Sequence, residues 1–171
     1  GASLRYFVRT VYAYALKRVS AVRNPIVLAH LWSTRGVTEI PLGLGYLASY
    51  VRGTLGPVPM AIISADRMIA ERVLALDPPM VGFYSYTAQI DQVRELAAAI
   101  RRAHPVPILL GGPHISATPR RLPPEFDIGV VGEGEQTFAE LVRLLRSGDL
   151  GSDSARAAVK GIVYRHGGEI R

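Results

Sequence analysis

Two hydrophobic periods alternate along residues 25–150. Continuous apolar runs of strand length occur at Ile26 to Leu31, Pro59 to Ser64, Met80 to Tyr84, Pro107 to Leu110 and Ile128 to Val131. Such runs fit strands buried on both faces. Between them, apolar residues recur at helical spacing: Leu44, Leu47, Ala48 and Val51, then Ile69, Val73 and Leu76, then Val93, Leu96, Ala97 and Ile100. A last set, Phe138, Leu141, Val142 and Leu145, follows the fifth run. Strands alternating with helices build βαβ units, hence a parallel sheet with helices on both faces and right-handed crossovers. The pattern predicts an α/β domain over residues 25–150 whose doubly wound, five-stranded parallel sheet has the order 2-1-3-4-5. Between the fourth and fifth strands, Pro119, Pro123 and Pro124 break the chain into loop and short turns.

The two ends read differently. In residues 1–24, Leu4, Phe7, Val8, Val11 and Ala15 recur at helical spacing with Arg5, Arg9, Lys17 and Arg18 between them. This predicts an N-terminal amphipathic helix that packs on its own or a neighbouring domain rather than on a membrane. Residues 151–171 read as the end of a polar linker, Gly148 to Ala155, followed by a C-terminal β-hairpin. Its arms are Gly161 to Tyr164 and Glu169 onward, joined at His166-Gly167-Gly168. The chain stops at Arg171 in mid-element.

Composition narrows the chemistry. The chain has no cysteine, which excludes disulfides, thiolate zinc sites and an iron–sulfur cluster held by these residues. No apolar stretch is long enough to span a membrane, and the N-terminus is too charged and aromatic for a secretory signal. A soluble, cytoplasmic protein is expected. The net charge of +6 comes from dispersed arginines, with Lys17 and Lys160 the only lysines. No nucleic-acid-binding motif accompanies it, so no nucleic-acid partner is expected.

In open parallel sheets, ligands bind outside the carboxyl ends of the strands. The loop after the first strand, residues 32–43, far exceeds the ordinary two to six residues or so of a βα connection. After the third strand comes Tyr84-Ser85-Tyr86-Thr87, where helix capping is the plainer role for Ser85 or Thr87. After the fourth comes Gly111-Gly112-Pro113-His114, whose paired glycines permit a tight turn or close approach of a ligand. After the fifth comes Gly132-Glu133-Gly134-Glu135, which opens the last helix. Its two carboxylates argue against a bare phosphate and for a neutral or hydroxyl-bearing partner. Together the loops suggest a bulky ligand threaded along one edge of the sheet. Catalytic constellations are absent: His30, His104, His114 and His166 are scattered, no pair has metal-ligand spacing, and no triad is suggested. Gly43-Leu44-Gly45-Tyr46-Leu47-Ala48 fits a dinucleotide fingerprint, with Asp66 near the distance of a ribose contact. That fingerprint should begin where the first strand ends, near Leu31, so dinucleotide binding stands only as an alternative.

Five segments carry a resemblance. Pro41 to Ala48, Val81 to Thr87, Leu110 to His114, Gly129 to Glu135 and Gly161 to Arg165 resemble, in order, segments of the N-terminal cobalamin (B12)-binding domain of class B radical SAM enzymes. The likeness runs over most of residues 26–171. It implies a Rossmann- or flavodoxin-like fold and cobalamin as cofactor, with its nucleotide tail in a slot along the sheet edge. By position Ser85 and Thr87 would hydrogen-bond near the tail and Gly111 and Gly112 would let it pass, with Tyr86 and Pro113 also in the cofactor-binding set. Gly132, Glu133 and Gly134 would line its far side, with Leu42 and Gly43 beneath the corrin ring and Thr38 in the loop before them. A valine at position 112 is expected to fill the slot and leave the fold intact. Related methyltransferase and mutase domains carry Asp-x-His-x-x-Gly, in which the His binds cobalt. Aligning on Gly43 places Ile40 at that His, which implies base-off, His-off cobalamin; the radical SAM group commonly lacks this His.

The resemblance also implies a second domain. A radical SAM domain needs three cysteines for its 4Fe-4S cluster, so cluster and S-adenosylmethionine would belong to a downstream domain carrying Cys-x-x-x-Cys-x-x-Cys. The chain would then be the N-terminal part of a longer enzyme, or a stand-alone carrier, and not catalytic alone. Methyl transfer to carbon or related radical chemistry is the implied activity. The alternative is a domain that keeps the fold, has lost cobalamin and recruits a substrate or partner.

Overall fold

The computed structural model describes residues 24–31, 42–65 and 69–171. The helix expected over residues 1–24 (Asn24 apart), the long first loop with Thr38 and Ile40, and Asp66 lie outside these described residues.

β1 (Ile26–Leu31) is buried along its whole length. Successive side chains of a strand point to opposite faces. Thus Val27, Ala29 and Leu31 enter one hydrophobic cluster, while Ile26 and Leu28 enter the other. β2 (Met60–Ala65) and β3 (Val81–Tyr84) flank β1 in parallel, with Val27 opposite Ala61 on one side and Val81 on the other. β4 (Ile108–Gly111) and β5 (Ile128–Val130) continue the parallel series. The parallel strands have the order 2-1-3-4-5 expected from the alternation. The chain reverses its direction of winding at β1, which opens a crevice at the carboxyl ends of β1 and β3.

The helices are α1 (Leu42–Leu55), α2 (Ile69–Leu74), α3 (Ile90–Ala103), the five-residue α4 (Pro113–Ala117), α5 (Glu135–Ser147) and α6 (Asp153–Ala158). α1 buries Leu44, Ala48 and Val51, and α5 buries Phe138, Leu141 and Val142, both against the Leu28 face. α2 and α3 cover the Val27 face with Val73, Val93, Ala97 and Ile100. α5 stops at Gly148, whose left-handed backbone (φ 82°) turns its N–H back onto the carbonyls of Leu144 and Leu145.

The C-terminal hairpin, β6 (Ile162–His166) and β7 (Glu169–Ile170), is built into the sheet. β6 pairs antiparallel with β5. Gly129 of β5 makes room for this docking: a Cβ there would lie 2.7 Å from Val163 Cγ2 and 2.8 Å from Ile115 Cγ1. Val159 and Tyr164 enter the α1–α5 core. The stretch read from sequence as a polar linker holds α6, capped by Ser152 Oγ accepting from the Ala155 N–H at 3.4 Å. Arg156 fixes this end by donating to the Leu150 carbonyl and placing its guanidinium 5.8 Å from the Tyr164 ring centre.

On the other face, α3 is tied to the segment before β5 by ion pairs. Arg94 donates to both Glu125 oxygens, at 3.0 and 3.1 Å. Arg101 donates to Asp127 Oδ2 at 2.7 Å, an oxygen that also accepts the Ile108 N–H at 2.8 Å. Burial pushes the Glu125 carboxyl up, but the Arg94 hydrogen bond and the charges of Arg94 and Arg101 outweigh it and hold the group below the ordinary glutamate value. A lowered folded-state pKa means that the ionised form stabilises the fold. That contribution is full above the unfolded-state value of about 4.3 and is lost as pH falls through the lowered one. Denaturant unfolding of the parent and of Glu125→Gln should therefore show a constant stability gap from neutral pH down to about pH 5, closing as pH falls below the unfolded-state value. A gap that widens in acid would contradict this.

Candidate functional site

The carboxyl half of the sheet does not close against α1 and α5. Leu28, Gly82 and Leu109 stand side by side on β1, β3 and β4, and with Val130 of β5 they form the floor of a cleft of about 440 Å³. α1 supplies one wall with Gly43, Leu44 and Leu47, and α5 the other with Glu135 and Phe138. Gly111, Gly112, Pro113 and Ser116 form the rim after β4, and Gly132, Glu133 and Gly134 the rim after β5. The volume lies within the roughly 300–1,000 Å³ of small-molecule sites.

Missing side chains keep the cleft open. A Cβ on Gly82 would lie 3.0 Å from Leu28 Cδ2 and stand in the floor. One on Gly134 would lie 3.3 Å from Leu47 Cδ2 and 3.6 Å from Val130 Cγ1, narrowing the gap between α1 and the β5 loop. Gly112 is different in kind. Its φ is 94°, and a Cβ there would lie 3.0 Å from both the Ser85 carbonyl oxygen and Tyr84 Cδ2. The expectation that valine at 112 leaves the fold intact is therefore corrected: it would strain a left-handed residue and collide with backbone.

Of the residues singled out in the sequence, Gly43, Gly111, Gly112, Pro113, Gly132, Glu133 and Gly134 line the cleft together. Ser85, Tyr86 and Thr87 sit at the end of β3, outside the lining. Ser85 is fully buried, and its Oγ donates to the Tyr86 carbonyl at 2.9 Å. Its N–H donates to the Gly111 carbonyl and its carbonyl accepts the His114 N–H, both at 3.1 Å. It thereby clamps the β3 loop to the double-glycine loop. Thr87 Oγ1 is 3.2 Å from His114 Nδ1, and the Tyr86 and Tyr84 hydroxyls are 3.4 Å apart. Leu42 opens α1 and is exposed. Thr38 is outside the described residues.

Sequence reasoning named the rim and missed the floor and one wall. Gly82 did carry a signal, since a glycine inside a strand marks close approach. Leu28, Leu47, Leu109, Val130 and Phe138 look like any core residues. Ser116 has no sequence signal; its Oγ accepts the Gly132 N–H at 3.0 Å and joins the two rims.

The lining offers a ligand an apolar floor with polar groups at its mouth. Among the described residues, no group of three or more His, Cys, Asp or Glu could hold a metal ion. At the mouth, Glu133 and Glu135 offer acceptors, while the N-terminus of α5, where Gly134 makes no side-chain cap, offers backbone donors. The dinucleotide alternative fails on placement: Gly43 and Gly45 lie inside α1, separated from the end of β1 by residues 32–41. No helix among the described residues is long and apolar enough to cross a membrane.

Comparison with known proteins agrees with this geometry. The model of the B12 binding domain family matches residues 31–142. An uncharacterized methyltransferase of Pyrococcus horikoshii, PH0819, is 33% identical over 143 residues, covering 80% of this chain and 30% of the relative. Two structures of the radical S-adenosylmethionine methyltransferase TsrM from Kitasatospora setae superpose with a TM-score of 0.71 at 20% identity. One holds tryptophan and a S-adenosylmethionine analogue, the other cobalamin and a [4Fe-4S] cluster. Both cover 86% of this chain, and 29% and 30% of TsrM. The chain thus spans under a third of the length of these proteins. By its family match and by the glycine-lined cleft at the carboxyl edge of its sheet, the chain belongs to the B12-binding domain family.

Proposed function

We propose that this domain binds cobalamin base-off and His-off, and presents it to a radical SAM domain of the same polypeptide. The observation that carries the reading is the cleft itself. Its floor is opened by Gly82 and its sides by Gly134 and the double-glycine loop, so a flat, elongated group can lie against the sheet. Its size suits the nucleotide arm of cobalamin rather than the whole macrocycle, which would rest on the rim near Leu42 and Gly43. Bound cobalamin supplies a cobalt able to carry a methyl group. The residues of this chain bind it, orient it and exclude water from the arm. The likeness in fold to TsrM, a radical S-adenosylmethionine methyltransferase, supports methyl transfer as the activity of the whole protein, with cluster and S-adenosylmethionine held elsewhere.

Two outcomes test this. Reconstitution with hydroxocobalamin should give a red protein that retains cobalt after desalting. Gly134→Val, which adds methyl groups between Leu47 and Val130 at an ordinary backbone angle, should raise Kd by about tenfold to a hundredfold, the cost of overpacking a fitted wall. Its circular dichroism should match the parent's. Equal affinity in the variant means that the arm lies elsewhere, and a parent that retains no cobalt means a domain kept for recruitment alone.

The second outcome concerns the lower face of cobalt. Ile40 stands at the position of the ligating His, and an isoleucine side chain donates no electron pair. The paramagnetic resonance spectrum of the Co(II) form should show no hyperfine splitting from an axial nitrogen. Such splitting would contradict the assignment, because an imidazole or the cofactor's own base would then be bound.

A further inference from the structure

Thr137 is one of the few buried polar residues of the described chain, 8% exposed, and it lies in the first turn of α5 immediately after the cleft-lining loop. Its Oγ1 donates to the Lys160 carbonyl at 2.9 Å. The next residue, Gly161, accepts the Val131 N–H on its own carbonyl at 2.8 Å. Gly161 has φ 74°, and a Cβ there would lie 2.9 Å from Thr137 Oγ1 and 3.4 Å from the Val131 carbonyl oxygen. The contact between the α5 start and the turn into β6 is therefore close and requires glycine. These two hydrogen bonds bracket the segment from Val131 to Thr137, which contains the lining residues Gly132, Glu133, Gly134 and Glu135. The bond from Gly132 N–H to Ser116 Oγ ties the same segment to the neighbouring loop after β4.

We propose that Thr137 is a positioning residue for cobalamin, a latch that sets the height of the 132–135 rim by anchoring it to the root of the C-terminal hairpin. This rests on the cobalamin reading above. Thr137 is buried while Lys160 is exposed, so losing the hydroxyl lets water take over the Lys160 carbonyl and releases the rim from its tether. The latch also links the cofactor cleft to β6, so displacement of the hairpin would be felt at the rim through Lys160 and Gly161.

The test compares Thr137→Val, which keeps the shape and removes the donor, with Thr137→Ser, which keeps the donor. At a temperature where circular dichroism shows all three proteins folded, Kd for hydroxocobalamin should rise about five- to tenfold in Thr137→Val, the equivalent of one intramolecular hydrogen bond. It should return to within about twofold of the parent in Thr137→Ser. In the cofactor-free protein, amide exchange at Gly132 to Gly134 should speed up in Thr137→Val and not in β1 or β3. Should the valine variant not fold, Gly161→Ala pushes the hydroxyl from the other side and should produce the same two shifts. An unchanged Kd with only a lower Tm would reduce Thr137 to a stability residue and overturn the inference. If the parent itself binds no hydroxocobalamin, the cobalamin reading fails first and this inference falls with it.

Discussion

The row formed by Leu28, Gly82 and Leu109 across β1, β3 and β4 governs the rest of this structure, because one sheet face must serve as both hydrophobic core and ligand floor. Deeper along the strands that face is closed by α1 and α5 through Val51, Leu141 and Val142. Nearer the carboxyl ends it stays open because Gly82 puts no side chain on the floor. A methyl group at position 82 would press on Leu28 Cδ2 at 3.0 Å, so only glycine leaves Leu28 and Leu109 room to present a low floor. The rim then follows: the loops after β4 and β5 border the open floor, and the Gly132 N–H to Ser116 Oγ bond ties one to the other.

The order of the parallel strands was legible in the chain because each strand is a continuous apolar run set between helical repeats. Ile26 to Leu31 could hardly be anything but a strand buried on both sides. The rim was legible as well, since glycines and carboxylates at strand ends break the hydrophobic pattern. What stayed hidden depends on partners distant in sequence. Leu109 and Val130 differ from core residues only in what faces them. Ser85 shows in the sequence as a polar residue at a strand end, but not that it is fully buried with its hydroxyl hydrogen donated to the Tyr86 carbonyl. The docking of β6 hangs on Gly129 meeting Val163, a pair that no local periodicity connects. The short α6 hid in a polar stretch because six residues stabilised by one cap and one arginine leave no helical repeat.

Charge takes a secondary part. The chain carries a net +6, yet the mouth of the cleft bears Glu133 and Glu135, and the ion pairs of Arg94 and Arg101 lie on the opposite face. A cleft with carboxylates at its mouth and the backbone N–H groups of a helix N-terminus beside them fits a ligand that offers both amide donors and carbonyl acceptors. The carboxamide arms around a corrin have that character. On the cobalamin reading, shape would select the arm and polar groups would orient the rest, with little contribution from long-range attraction.

The central claim is that the cleft holds the nucleotide arm of cobalamin. It is tested most directly by comparing Kd for aquocobalamin with Kd for cobinamide, which has the same corrin and cobalt but lacks the arm. If the arm lies on the Gly82 floor, cobinamide should bind at least about a hundredfold more weakly, the worth of burying one aromatic base. Equal affinities would contradict the account, since the protein would then be holding the ring alone and leaving the cleft unused.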